Sequence, residues 1–233
     1  MAGLDDFPIT LRWPAAHPER LQLYSQPTPN GVKVSIMLEE IGMPYEPHRV
    51  PFGDDGTTSS EFLSLNPNNK IPAIIDPDGP GGRPLALWES GAILLYLADK
   101  TGQLIDRDHA RRWETIQWVF WQMGGVGPMF GQVGFFNKFA GREYEDKRPL
   151  ERYVAEAKRL LGVLDRRLDG RDWIMDDYSI ADIATLGWVR NLITFYEARE
   201  LVDFDSFRNV AAWLEHGLAR PAVQRGLKIP EET

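Results

Sequence analysis

The chain has 233 residues, room for one or two compact units at about 150 residues each, and its 43% apolar and 26% charged residues are ordinary for a water-soluble globule. Its 26 basic residues against 34 acidic ones leave a net charge of −8, which argues against a nucleic-acid partner, because phosphate affinity rests on clustered Lys and Arg. There is no cysteine, so disulfides, thiolate metal sites and a cysteine nucleophile are excluded, and any thiol chemistry must draw its sulfur from a substrate.

Residues 1–19 mix proline and charge without periodicity and read as a loosely attached extension. Asp5 and Asp6 stand where a signal peptide would carry positive charge, and a cytoplasmic protein is expected. Leu21–Ser25 alternates as a strand does. From Gly31 the pattern changes to Val34, Met37, Leu38 and Ile41, a helical stripe closed by Gly42. Tyr45–Val50 reads as a second strand between two prolines, and a short helix is expected over Ser60–Leu65 after a polar loop. Ile71–Asp76 and Pro84–Trp88 read as two strands around a Pro77-Asp78-Gly79 turn. A helix from Ser90 then buries Ile93, Leu94, Tyr96 and Leu97 and stops at Gly102.

That order, β-α-β-α-β-β-α, makes the first two strands parallel and the last two an antiparallel hairpin. It predicts an α/β, thioredoxin-like domain over residues 20–103, followed by an all-α domain over residues 109–228. Residues 115–137 carry no charge, yet their five glycines, three glutamines and Pro128 leave too few apolar residues for a membrane span, and a buried, bent helix is expected. Trp118, Phe120, Trp121, Met123, Met129, Phe130, Phe135 and Phe136 in this region read mainly as core. Gly124-Gly125-Val126-Gly127 follows a helical pattern and lacks the Gly-Lys-Ser/Thr ending of a phosphate loop. Leu150, Tyr153, Val154, Ala157, Leu161, Leu164 and Leu168 form the clearest helical stripe, behind Pro149. Ser179-Ile180-Ala181-Asp182 is a capping box with Asp in the place of the usual Glu, and it is assigned to folding. His17, His48, His109 and His216 share no metal-ligand spacing, and no metal is expected.

Three short segments carry candidate chemistry. Thr28-Pro29-Asn30-Gly31 joins a strand to a helix; spacing alone favours a turn with an N-cap, and the same segment also offers a hydroxyl and backbone N–H groups at a helix N-terminus, able to hold a thiolate. Asn68-Asn69-Lys70-Ile71-Pro72 is a loop entering a strand; with a cis Ile71–Pro72 bond, the Ile71 backbone could pair with an extended peptide. In Glu89-Ser90-Gly91, Ser90 reads as an N-cap, and the same geometry suits an amino acid headgroup, with the carboxylate at Ser90 and the ammonium at Glu89.

Together these segments, with Glu89-Ser90-Gly91-Ala92-Ile93, Phe120-Trp121-Gln122 and the Ser179–Asp182 box, resemble the glutathione transferase superfamily. Thr28-Pro29-Asn30-Gly31 narrows the resemblance to the bacterial nu class, which carries Thr-Pro-Asn-Gly where other classes place a catalytic Tyr, Ser or Cys. The likeness runs from about Leu21 to the end of the chain. It implies a homodimer that binds glutathione and no metal, with Thr28 and Asn30 as the catalytic residues that stabilise the glutathione sulfur. It implies that Ile71, before a cis Pro72 and beside Lys70, pairs with the cysteinyl part, and that Glu89 and Ser90 hold the γ-glutamyl end. Arg152 of the partner subunit is implied near glutathione. A Gln or His that contacts glutathione in relatives falls at Thr57 here. The activity implied is glutathione-dependent disulfide reduction on a disulfide second substrate; conjugation to small electrophiles and a non-catalytic glutathione-binding module stand as the alternatives.

Overall fold

The computed structural model describes residues 3–231. The chain divides into two compact units, one reaching to Thr101 and taking back the chain from Ala222, the other Gly102–Pro221.

In the first unit, β1 (Leu21–Ser25) is buried along its whole length. A four-residue helix α1 (Ile9–Arg12) precedes it, and α2 (Gly31–Ile41) follows. The unit continues with β2 (Tyr45–Arg49), α3 (Ser60–Leu65), β3 (Ala73–Asp76), β4 (Leu85–Trp88) and α4 (Ser90–Thr101). The sheet order is β2-β1-β3-β4. The β1–β2 pair is parallel, with Leu21 opposite Tyr45, as a helical crossover requires. The pairs β1–β3 and β3–β4 are antiparallel, the second with Ala73 opposite Trp88. This is the predicted β-α-β-α-β-β-α order, with strand ends differing by a residue or two.

The amino-terminal segment departs from the expectation of a loose extension. Leu4 and Ile9 are buried in one cluster with Tyr24, Val50, Phe62, Leu65, Ile71, Ala73 and Ile75, and Phe7 and Trp13 pack against it. The Ala16 and His17 N–H groups donate to the Glu46 carboxylate at 2.8 and 2.7 Å, and Trp13 Nε1 donates to the Arg49 carbonyl. Four apolar residues spread over ten positions and broken by Pro8 are too few to show a period in sequence. They are enough to cover a sheet face.

The far end of the chain departs too. Residues beyond Ala222, expected with the helical domain, belong to the first unit. Ser35 Oγ donates to the Gly226 carbonyl at 2.6 Å, and a Cβ on Gly226 would lie 2.7 Å from the Ile36 backbone. Glycine is what lets α10 (Pro221–Gly226) lie directly on α2.

The second unit is helical. Within it α5 (His109–Trp121), a five-residue π segment (Gln122–Val126) and α6 (Gly127–Asn137) run on with helical backbone at both junctions. The Gly127 N–H reaches back five residues to the Gln122 carbonyl. The wider turn lies just ahead of Pro128, whose ring would clash with a carbonyl four residues back in an ordinary helix. The glycine run is therefore helical backbone, as its context predicts. Of the aromatic residues read as core, Phe130 is buried, whereas Phe120 is 65% exposed, and Trp113, two turns earlier on α5, is 58% exposed.

Beyond it α7 (Arg148–Arg167) buries Ala157, Leu160, Leu161 and Leu164, α8 (Ile180–Ile193) is buried almost throughout, and α9 (Arg208–Leu218) follows. No helix among the described residues is long and apolar enough to cross a membrane. The predicted capping box opens α8. The fully buried Asp182 carboxylate accepts from the Ser179 N–H, the Ile174 N–H and Trp213 Nε1 at 2.8–3.0 Å. Burial pushes its pKa up to about 6, while these donors pull the other way. Asp182→Ala would strand them, at a cost of about 3 kcal/mol or more in denaturant unfolding. A loss below about 1 kcal/mol would show that the box does not hold this unit together.

Candidate active site

The site begins where β1 runs out. A Cβ at position 31 would come within 1.9 Å of the Gln26 carbonyl oxygen and 2.6 Å of Ser25 Oγ, so only glycine allows α2 to start this close to the strand end. The short connection folds back on itself. The Thr28 N–H donates to the Gln26 carbonyl, the Val32 N–H to the Thr28 carbonyl, and the Gly31 N–H to Thr28 Oγ1 at 3.2 Å.

The first amides of α2 are thus taken by Thr28, which corrects the expectation that they stand ready for an anion. What the turn offers instead is side-chain polarity. The Gly31 N–H fills one acceptor position of the half-buried Thr28 hydroxyl and leaves its proton for a further acceptor. Asn30 sits at the N-cap position with helical backbone angles, and its side chain makes no capping bond. The N-cap expected of this segment is therefore supplied by Thr28.

Across the sheet, the Ile71–Pro72 peptide is cis. The antiparallel pairing of β3 with β1 begins at Ala73, so the Ile71 backbone lies outside the ladder, with the Ile71 side chain buried in the core cluster. The Lys70 carbonyl accepts from Asn66 Nδ2, and the Lys70 side chain is exposed.

At the β4–α4 junction the expected roles of two residues change. Glu89, not Ser90, holds the cap position: its carbonyl accepts from the Ile93 N–H at 3.0 Å, and Ser90 is the first residue of α4. Glu89 has φ +72, the left-handed region, where a side chain costs about 1–3 kcal/mol over an ordinary conformation. Its side chain is exposed, and Ser90 beside it is buried. The junction thus carries an exposed carboxylate on a strained backbone at a helix N-terminus.

One residue here escaped the sequence reading. Lys33, in the first turn of α2, is 0% exposed, and its Nζ donates to Ser90 Oγ at 3.2 Å. Burial pushes its pKa down to about 7, against the field of Glu89, which favours the charged form. The available signal was the charge itself, since the first turn of a helix favours acids and disfavours cations.

The remaining candidates are placed differently. Thr57 is buried, and its hydroxyl accepts from the Gly53 N–H at 3.2 Å within its own loop. Arg152 lies exposed on α7 in the second unit. Its i, i+4 neighbour Glu156 bonds Arg159 through both carboxylate oxygens, at 2.7 and 2.8 Å, while the charge of Arg152 also acts on it.

Family models match both parts of the chain: the glutathione S-transferase N-terminal domain over residues 19–99 and the C-terminal domain over residues 127–221. The chain belongs to the glutathione S-transferase family. Among curated relatives, the disulfide-bond oxidoreductase YfcG of Escherichia coli is 44% identical, over 89% of this chain and 94% of its own length. The disulfide-bond oxidoreductase YghU of the same organism is 42% identical, over 90% and 74%. A glutathione transferase from Burkholderia graminis, with two glutathione molecules bound per subunit, is 70% identical with a TM-score of 0.98, covering 100% of this chain and 98% of that one. A glutathione transferase from Pseudomonas putida, with one glutathione disulfide per subunit, is 67% identical with a TM-score of 0.97, covering 98% and 100%.

The strained backbone at Glu89 makes its contribution to stability testable. Glu89→Gly removes the carboxylate where the backbone favours glycine, so thermal unfolding should stay level or rise by up to about 1 kcal/mol. A clear fall in melting temperature would show that Glu89 serves the fold.

Proposed function

We propose that this chain is a glutathione-dependent disulfide reductase. The observation that carries the reading is the Thr28 hydroxyl, which accepts from the Gly31 N–H and keeps its proton for a further acceptor, at the head of α2 in a chain that has no cysteine. Glutathione supplies the sulfur. Thr28 and Asn30 are its hydrogen-bonding partners, and the α2 N-terminus adds a favourable field for the thiolate. A free thiol has a pKa of about 8.5, and lowering it by about two units takes roughly 2.7 kcal/mol, within reach of one or two hydrogen bonds and a helix end. No protein base is needed.

The Ile71 backbone outside the sheet ladder supports pairing with the cysteinyl part, with Lys70 at the rim. Glu89 and Ser90 support a zwitterionic γ-glutamyl end, the ammonium on the carboxylate and the carboxylate at the α4 N-terminus. Thr57 is assigned to the loop that borders the site rather than to direct contact.

The reaction follows from thiolate chemistry. One glutathione thiolate attacks a sulfur of the substrate disulfide, forming a mixed disulfide and releasing a substrate thiolate, which takes up a proton. A second glutathione thiolate attacks the glutathione sulfur of the mixed disulfide and releases the second substrate thiol. The substrate gains two electrons, and two glutathiones become glutathione disulfide. The two glutathiones and the glutathione disulfide found in the Burkholderia and Pseudomonas relatives fit the two ends of this sequence.

A homodimer in the cytoplasm, where thiols stay reduced, belongs to the same reading. The exposed Trp113 and Phe120, on one stripe of α5, support a buried subunit contact there. The exposed Arg152, whose neighbour Glu156 is hydrogen-bonded to Arg159 instead, suits a role in the partner's site. Light scattering should give the mass of a dimer, and dimers mixed from Arg152→Ala and a Thr28→Ala/Asn30→Ala double variant should recover activity at one site in each heterodimer. A monomer, or mixtures no more active than their parents, would count against this arrangement.

The function itself is tested on one preparation with a model disulfide and an aryl halide, using glutathione as the thiol. Disulfide reduction should dominate, and Thr28→Ala or Asn30→Ala should each lower it about tenfold or more, the share of one charge-assisted hydrogen bond. Strong aryl halide turnover without disulfide reduction would make the protein a conjugating transferase. Glutathione binding without either activity would make it a binding module.

A further inference from the structure

Lys33 has no part in the reading above, and its position is costly. A fully buried ammonium is disfavoured by desolvation, and this one stands in the first turn of α2 and against the first residue of α4, near the positive ends of two helices. Glu89 is the ionised group whose field acts on it. Other charges on α2 and α4, Glu39, Glu40, Asp99 and Lys100, lie about one and a half turns or more along their helices. On α10, which packs against α2, Arg225 pairs with Glu39.

An ammonium can only donate, so Ser90 Oγ is the acceptor in the 3.2 Å contact, and its proton points away from Lys33. A neutral amine could instead accept that proton and turn the Ser90 hydroxyl inward. A charged Lys33 therefore keeps the Ser90 proton off the contact between them. A methionine would fill the same space without that consequence.

We propose that Lys33 is a positioning residue for the carboxylate of the ligand's γ-glutamyl end, holding the Ser90 hydroxyl as a donor toward that carboxylate and binding a proton as the carboxylate arrives. The proposal rests on the assignment of Glu89 and Ser90 as the γ-glutamyl seat. With the site empty, the ammonium has Glu89 opposing burial and two helix ends, and its pKa is about 7. A carboxylate at the α4 N-terminus adds a second negative charge, and the pKa rises on binding. Near neutral pH the complex must then take up protons that free protein and free ligand did not hold.

The test is calorimetric titration of the whole protein with S-methylglutathione, which has no ionisable thiol, at pH 7 in two buffers of different ionisation enthalpy. The wild type should take up a measurable fraction of a proton per site, because burial lowers the pKa of Lys33 toward the working pH and the arriving carboxylate raises it. Lys33→Met should lose this uptake and bind about tenfold more weakly. Lys33→Arg, charged at any working pH, should bind within about threefold of wild type and take up no proton. A lysine that merely ties α2 to α4 would leave proton uptake independent of residue 33. If Lys33→Met fails to fold, the wild type and Lys33→Arg decide alone. No uptake in the wild type, or equal uptake in a folded variant, overturns the proposal. Binding that is absent in the wild type, or undiminished in Glu89→Gly, overturns the γ-glutamyl seat and the proposal with it. Weakened binding in Glu89→Gly beside unchanged Lys33 variants overturns the role of Lys33 alone.

Discussion

The close approach of α2 to the end of β1 governs much of the first unit. With the Gln26 carbonyl 1.9 Å from where a Cβ would stand on Gly31, the helix can begin there only on a glycine. That start puts the Gly31 amide on Thr28 and leaves Asn30 at the cap position with its side chain out of the capping role. It also brings Lys33, two residues on, beneath Ser90 of α4. A helix set one residue later would move each of these by about 100° around its axis. On the other face, α10 presses on Ile36 through Gly226, so α2 is held at its head and along its side.

Electrostatics then divides the labour. A thiolate and a carboxylate are both anions, and two helix N-termini in one small unit give each a favourable end. Beside them the chain sets an exposed acid at Glu89 and a buried cation at Lys33, and the proposed seat pairs the acid with a ligand ammonium. The absence of cysteine keeps the sulfur chemistry with the bound thiol, so the protein's part is to hold, orient and ionise.

The amino-terminal segment shows how stability reaches the site indirectly. Ile71 shares its cluster with Leu4, Ile9 and Tyr24, so the backbone beside the cis Pro72 rests on residues far away in sequence. In the second unit Asp182 does comparable work, drawing the Ile174 and Ser179 amides and the Trp213 ring nitrogen onto one carboxylate.

Local chemistry determined much from the sequence alone. Strand alternation, the stripe from Val34 to Ile41, the stop at Gly42 and the box at Ser179–Asp182 depend on neighbours a few residues apart, and each stands in the structure where the spacing put it. The segments Thr28–Gly31, Ile71–Pro72 and Glu89–Ser90 were legible in this way only as turns and a cap, and the resemblance to a family gave them a ligand. Only the tertiary structure decided what crosses long stretches of chain. It buried Leu4 and Ile9 against a sheet that starts at Leu21, returned the chain beyond Ala222 to α2, left Phe120 in solvent and gave the cap position to Glu89. Lys33 is the sharpest case: its burial and altered acidity come from Ser90 and Glu89, more than fifty residues away, and no local pattern carries such a contact.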